Sequence, residues 1–165
     1  MIIDDLRHMT AQWDARPGRV LVVAAIRAPL YPALGAVMMV RASMWCWRHR
    51  LRLPAQWLKA RAVRTAGVEI HPGARLGPGL AFVHSVGIVV GKDVVAGKDL
   101  VLHHGVTLGD GGRGPGQPSL GDGVRVGAGA KILGGITIGD GVRVGANSVV
   151  LADVPAGTTV VGVWK

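Results

Sequence analysis

The sequence predicts a mainly β protein, a parallel β-helix preceded by an α-helical segment. Between residues 67 and 155 an apolar residue recurs at every sixth position, and the same phase returns after eight extra residues at 112–119. Glycine follows several of these positions, where a corner between short strands favours a residue without Cβ. Such a period is typical of a triangular coil made of three short strands. The apolar positions are Ile70, Leu76, Phe82, Ile88, Val94, Leu100, Val106, Leu120, Val126, Ile132, Ile138, Val144 and Val150.

The distribution of charge divides the chain at about residue 66. The chain carries 19 Lys and Arg against 10 Asp and Glu, a net charge of +9. Residues 1–66 hold eleven of the cations and three of the acids, whereas residues 67–165 are nearly neutral. We therefore assign 1–66 to a basic, Trp-containing helical segment and 67–165 to the β-helix domain, with a loop insertion at 109–119.

The first 66 residues contain two apolar runs, at 20–26 and 33–47. We expect Pro54 to begin a further helix. In the helix after Pro54, we expect Trp57, Leu58 and Val63 to lie on one side. The segment is expected to cover the open end of the β-helix and to contact neighbouring chains, because an uncovered first coil exposes apolar surface and strand edges.

Because tryptophans occur together with arginines in this segment, contact with a membrane surface is a second role that the sequence allows. They are Trp13, Trp45, Trp47 and Trp57. Nucleic acid is not expected as a partner, since no recognition motif accompanies the charge.

Cysteine use and hydropathy point to the cytoplasm. The single Cys46 cannot form an internal disulfide, and Asp4 and Asp5 precede any apolar run that could act as a signal peptide. The uncharged run at 28–40 contains two prolines and is too short to span a bilayer.

Histidines are the candidate catalytic residues of the repeat. His84 lies in a stretch with little other polar chemistry, and histidine is the commonest general base in enzymes. His103 and His104 follow one coil later, near the same edge if residue 102 stacks on residue 84. A metal site is a weaker alternative, because adjacent strand residues point to opposite faces. No serine or cysteine lies in a nucleophile motif, which favours direct transfer from a thioester to a hydroxyl over a covalent intermediate.

Five motifs carry a resemblance to a known family. Residues 67–162 resemble the serine O-acetyltransferases and their short relatives, the colanic-acid and capsule acetyltransferases, within the hexapeptide acyltransferase superfamily. The motifs are Gly-Val-Glu-Ile-His-Pro at 67–72, His-Ser-Val-Gly-Ile-Val-Val-Gly at 84–91, His-His-Gly-Val-Thr-Leu-Gly at 103–109, Val-Gly-Ala-Gly-Ala-Lys-Ile-Leu-Gly at 126–134 and Val-Gly-Ala-Asn-Ser-Val-Val-Leu at 144–151.

The resemblance implies a left-handed coil and a homotrimer, which could pair into a dimer of trimers, with acetyl-CoA in the groove between subunits and no metal. It implies that His84 is the catalytic base and that Glu69 orients it. The cofactor-binding residues that it implies are Gly109, Asp110, Arg113, Ala128, Lys131 and Ala146. His104 and Gln117 are the candidate substrate-binding residues.

Sequence differences from the serine O-acetyltransferases affect which acceptor we expect. Those enzymes carry Asp where this chain has Val83, and Arg-His where it has Gly116 and Gln117. Neutral side chains at these positions would leave the ammonium and carboxylate of a bound amino acid without charged partners, which costs binding free energy. We therefore expect an acetyl-CoA-dependent O-acetyltransferase acting on a hydroxyl of a sugar, polysaccharide intermediate or other small metabolite. Serine O-acetyltransferase is the alternative, and a non-catalytic β-helix platform or a zinc-dependent hydratase are further ones.

Overall fold

In the described part of the chain, three helices precede a long series of short strands. The computed structural model describes residues 1–10, 31–112 and 116–165. Its helices are α1 (Ile2–Thr10), α2 (Pro32–Arg48) and α3 (Arg52–Ala66). Trp13 and the apolar run at 20–26 lie outside the described residues.

The described strands form three parallel sheets, which are the three faces of a prism. Sheet A contains β1 (Val68–Ile70), β4 (Ile88–Val90), β7 (Thr107–Gly109), β10 (Lys131–Leu133), β13 (Val149–Val150) and β15 (Val163–Trp164). Sheet B contains β2 (Arg75–Leu76), β5 (Val95–Ala96), β8 (Ser119–Leu120) and β11 (Thr137–Ile138). Sheet C contains β3 (Ala81–Val83), β6 (Val101–His103), β9 (Arg125–Val126), β12 (Arg143–Val144) and β14 (Thr159–Val160).

The interior of the prism is the core, and the hexad period locates it. Every apolar position of that period is at most 5% exposed, and all belong to one cluster of buried side chains. The phase differs by two residues on the two sides of the insertion, because Leu120 pairs with Ala96 and Ile132 with Leu108, and not with Val94 and Val106. The insertion therefore adds six residues to an eighteen-residue coil, and the expected eight is wrong. The predicted left-handed parallel β-helix is confirmed.

The corner at 84–87 is two residues longer than the hexad period allows. Phe82 pairs with Leu102 and Val83 with His103, so the first two coils are offset by twenty residues rather than eighteen. The expected stacking of residue 102 on residue 84 is therefore wrong by two positions. The extra residues bulge outward, where Val86 is 70% exposed, and they place His84 beside His104 instead.

Small residues pack the helical hairpin of α2 and α3. The buried side of α3 is formed by Ala55, Ala62 and Ala66. Trp57 and Val63 are exposed, so the expected apolar side of this helix is wrong. Ala55 lies against α2, where the Ser43 hydroxyl donates to its carbonyl at 2.8 Å. No helix of the described residues is long and apolar enough to cross a membrane.

A buried ion pair fastens the helices to the first coil. Arg41 of α2 bonds Asp5 of α1 through two contacts of 2.6 and 2.8 Å, with both side chains at most 2% exposed. Arg41 also donates to the carbonyls of Leu76 and Gly77, and Asp5 accepts from the Leu80 N–H. These two side chains satisfy backbone groups of the first coil, which has no preceding coil to pair with.

Candidate active site

His84 lies at the edge where sheet C passes into sheet A. It follows β3 directly and adopts a left-handed conformation with φ of 59°. The same edge continues through Gly87, Gly105 and Gly129, also at positive φ, and backbone bonds connect successive turns. We call this edge, comprising the turns at 84–87, 104–106, 127–130 and 145–148, the histidine edge. The tight turn directs the His84 side chain outward, and it is exposed.

A groove of about 950 Å³ opens beside His84, between the helices and sheet C. Its wall is mainly apolar, formed by Phe82, Val83, Val86 and other side chains of sheet C and α2. Two cations, Arg64 from α3 and Arg125 from β9, complete the described lining near the histidine. A bound molecule with both apolar and anionic parts would complement these walls.

Two more histidines lie on the same edge. The rings of His84 and His104 are 6.0 Å apart and nearly perpendicular. Burial lowers the pKa of His103, and the nearby His104, His84 and Arg125 lower it further. The expectation that these histidines share an edge is confirmed, although the stacking differs by two residues. No three His, Cys, Asp or Glu side chains converge as a metal site within the described ranges.

Three of the residues that the resemblance assigns to cofactor binding lie on the histidine edge or next to it. Ala128 and Ala146 lie in successive turns, joined by a bond of 2.7 Å from the Asn147 N–H to the Ala128 carbonyl. Lys131 begins β10, and its ammonium donates to the Gly105 carbonyl at 2.6 Å. The small side chains leave the backbone of these turns accessible along the outside of the prism.

The remaining cofactor and substrate candidates lie on a different edge, where sheet A passes into sheet B. Gly109 ends β7, and Asp110 accepts a bond from the Gly112 N–H. The Gln117 side chain accepts from the Asp93 N–H at 2.9 Å. We call the described segments 91–94, 110–112 and 116–118 the loop edge. Arg113 lies outside the described residues.

Glu69 is on the outer face of sheet A, between these two edges. It pairs with Val89 in the sheet, and its carboxylate forms an ion pair of 2.9 Å with Lys59 of α3. In the described part of the chain no hydrogen bond joins Glu69 to His84.

The comparisons with known proteins agree with this architecture. The model of the family "Bacterial transferase hexapeptide (six repeats)" matches residues 118–152. The serine acetyltransferase of Helicobacter pylori (strain ATCC 700392 / 26695) is 45% identical over 135 residues, which are 81% of this chain and 79% of that protein. The chain belongs to the serine acetyltransferase family. The resemblance seen in the five motifs is confirmed.

Solved structures of the family align with nearly the whole chain. A Neisseria gonorrhoeae serine acetyltransferase in complex with serine has a TM-score of 0.83 and 36% identity, covering 98% of this chain and 65% of that one. A Brucella abortus serine acetyltransferase in complex with coenzyme A has a TM-score of 0.81 and 34% identity, covering 96% and 62%. Several relatives are much longer: the chain spans 42% of a probable serine acetyltransferase 4 of Oryza sativa subsp. japonica, at 47% identity over 134 residues and 80% of this chain.

Within this family member, sequence analysis missed the two groove arginines. The backbone partners of Val101 and Leu102 are Arg125 and Val126, twenty-four residues away because the loop insertion intervenes. A signal for Arg125 was available, since it directly precedes Val126, a buried hexad position. No periodic signal locates Arg64, because its position depends on how α3 packs against the first coil.

Proposed function

We propose that the chain transfers the acetyl group of acetyl-CoA to a hydroxyl, with serine as the first acceptor to test. The observation that carries the proposal is the placement of His84, exposed beside a groove on the edge that also holds Ala128 and Ala146. The names of the relatives support serine better than the sugar or metabolite hydroxyl favoured by the sequence. The coenzyme A complex of a family member supports the acyl donor.

In the proposed reaction, His84 acts as general base. Its imidazole takes the proton of the acceptor hydroxyl while the hydroxyl oxygen forms a bond to the acetyl carbonyl carbon. The carbon–sulfur bond of the thioester then breaks, and the leaving thiolate receives the proton back from the imidazolium. The products are an acetyl ester and coenzyme A, so no further reactant is required.

The central test is thiol release from acetyl-CoA by wild type and a His84→Ala variant. General-base catalysis contributes roughly 10²–10⁴ in rate, so the variant is expected to lose that factor in kcat. His49→Ala is the matched control, because His49 is an exposed histidine at the end of α2 and lies away from the groove. Full activity in His84→Ala would contradict the assignment of the base.

We propose a homotrimer, which could pair further into a dimer of trimers, because the candidate residues occupy two edges of one prism. A ring of three chains can place the histidine edge of one copy against the loop edge of the next. Exposed valines on the outer face of sheet A, Val89 and Val163, offer apolar surface for such packing. Light scattering is expected to give three or six times the mass of one chain, and a monomer at assay concentration would contradict this arrangement.

We also propose that Glu69 orients His84, which requires Glu69 to change its present partner. Because its carboxylate pairs with Lys59, it must leave that ion pair to orient His84. Glu69 is 52% exposed, and such a surface pair contributes at most about 1 kcal/mol, so the side chain can be released at small cost.

A hydroxyl acceptor without an ammonium group is the second candidate, favoured by the groove. Its described lining contains Arg64 and Arg125 but no carboxylate to pair with the ammonium of serine. Serine and its deamino analogue 3-hydroxypropanoate should therefore be compared, together with sugars. A clear preference for serine would contradict this second candidate and support the first.

We place the protein in a reducing compartment such as the cytosol, supported by its single Cys46, which is buried and unbonded.

A further inference from the structure

The hairpin formed by α2, the following turn and α3 exposes large apolar side chains. Leu53 is 84% exposed, Trp57 59%, Trp45 51% and Leu51 45%. Side chains of this size are usually buried in a soluble domain, and several of them together mark an interaction site. Trp45 and Trp57 are also the residue type that prefers the boundary between water and lipid. We call these four residues, together with Arg48 and Arg50, the hairpin surface.

The hairpin surface is positively charged. Residues 31–66 contain seven Lys and Arg and no Asp or Glu. Two of these cations are neutralised inside the fold, Arg41 by Asp5 and Lys59 by Glu69. Arg48 and Arg50 are exposed at the turn and form no ion pair with the described residues. An occupant of this surface must therefore be both negative and able to accept apolar side chains.

The arginines next to the tryptophans are held in place by ring contacts. Arg52 lies 3.7 Å from the centre of the Trp47 ring, and Arg61 lies 6.0 Å from that of Trp57. Both arginines are exposed, so cations lie beside aromatic rings at this surface. Alternating cations and aromatic side chains fit the headgroup region of a bilayer, where charge and apolar matter are adjacent.

We propose that the hairpin surface docks the protein on an anionic lipid membrane. A second copy of this chain fits less well, because the same surface on both copies would oppose cations to cations. A purely polar polyanion would leave Leu53 and Trp57 unused. Docking is independent of the acetyl transfer proposed above, since none of its residues lines the groove beside His84.

Docking would also bring the groove close to the lipid headgroups. A small hollow of about 130 Å³ beside Trp57 is lined by Arg61, Arg64 and Thr65. Arg64 and Thr65 also line the groove that contains His84. A continuous surface therefore leads from the membrane-facing tryptophan to the candidate active site.

Vesicle flotation with the full chain tests the proposal. The protein is expected to float with vesicles of phosphatidylcholine mixed with phosphatidylglycerol, and not with phosphatidylcholine alone. Each cation near an anionic surface contributes roughly fivefold to partitioning, so the triple variant Arg48→Gln, Arg50→Gln, Arg52→Gln should bind on the order of 100-fold more weakly. Added salt should weaken the wild type in the same way.

The apolar variant Leu53→Gln, Trp57→Gln, which leaves the net charge unchanged, separates lipid from other occupants. It is expected to lose flotation while thiol release from acetyl-CoA continues, because neither residue lines the groove. Matched controls are Arg75→Gln, Lys98→Gln, Arg143→Gln for the cations and Val161→Gln for the apolar side chains, all exposed on the β-helix. Both controls should float like the wild type.

Three results would overturn the proposal. Flotation that the apolar variant leaves unchanged would mean that charge alone binds, as for a nucleic acid or another polyanion. A lower oligomeric state of the apolar variant in light scattering, without vesicle binding by the wild type, would identify a second copy as the occupant. Equal flotation of the wild type and the cationic triple variant would remove the role of the hairpin surface.

Discussion

The helical cap, formed by the described helices α1 to α3, and the β-helix reach stability in different ways. In the β-helix each coil repeats the contacts of the coil before it, and most hexads bury two apolar residues, as Val124 and Val126 do. In the cap no contact repeats, and the fold depends on single pairs such as Arg41 with Asp5. The β-helix has a net charge close to zero, whereas the cap carries most of the excess positive charge.

This difference determines where one substitution has the largest effect. A repeating structure spreads its stability over many equivalent contacts, and loss of one leaves the others intact. Within the described residues, the junction shares an apolar cluster with the β-helix but contains a single buried ion pair, which has no such redundancy. We therefore expect the boundary between cap and first coil to be more sensitive than either part alone.

The largest effect is expected for Arg41→Met. The variant leaves the buried Asp5 carboxylate unpaired and removes the donors to Leu76 and Gly77. Breaking a buried ion pair by removing one partner costs about 3–5 kcal/mol of the free energy of unfolding. Urea denaturation followed by circular dichroism measures this loss.

The control is Lys59→Met, which removes the partially exposed ion pair with Glu69 on the same helical hairpin. A surface pair contributes at most about 1 kcal/mol. Equal losses in the two variants would show that the cap is not fastened by the buried pair.

The same difference explains what could be predicted from the sequence. Periodicity located the buried positions of the β-helix, because every coil obeys the same geometric constraint. The pairing of Arg41 with Asp5 could not be predicted, since the two residues are 36 positions apart and no pattern links them. The apolar side of α3 was assigned wrongly for a similar reason: Ala55 and Ala62 are buried by close helix packing, while the larger Trp57 is left outside.

For the candidate site, the sequence located His84 but not its surroundings. The motif placed His84 at a corner, yet the two extra residues at 84–87 changed the neighbour from residue 102 to His104. The ion pair of Glu69 with Lys59 and the contribution of Arg64 depend on the docking of α3, which the hexad period does not describe.

An intermediate effect is expected at a corner of the β-helix, for Gly127→Ala. A Cβ at this position would lie 2.7 Å from the Ala146 nitrogen and 2.9 Å from the Val144 carbonyl oxygen. These atoms belong to the backbone of the next coil and cannot move without disturbing the stack. We expect a loss of about 1–3 kcal/mol in the free energy of unfolding, measured by urea denaturation.

Gly109→Ala is the matched control at the loop edge. A Cβ there meets nothing within 4 Å, and the residue does not have a positive φ. Its effect should stay within about 0.5 kcal/mol, as for other surface substitutions. A loss at Gly109 as large as that at Gly127 would argue against coil stacking as the cause.

The smallest effect concerns His71, in the turn after β1 where the cap meets the β-helix. Trp47 of α2 packs its ring edge-on at 5.0 Å, and the His71 Nδ1 accepts a bond from the Gly73 N–H, which requires the neutral ring. Burial lowers the pKa of His71, and the nearby Lys59 and Lys92 lower it further. Below the unfolded-state value of about 6.5, the unfolded chain therefore binds this proton more readily than the folded chain.

The contribution of His71 to stability is thus complete above about pH 6.5 and is lost as the pH falls through the lowered pKa of the folded state. Urea midpoints measured across this range should decrease toward acid in the wild type and decrease less in His71→Gln, whose amide oxygen can still accept the Gly73 bond. Part of the decrease should remain, because burial also lowers the pKa of His103. His49→Gln, at the exposed end of α2, should keep the full wild-type decrease; if it matched His71→Gln instead, the pH dependence would not originate where the cap meets the first coil.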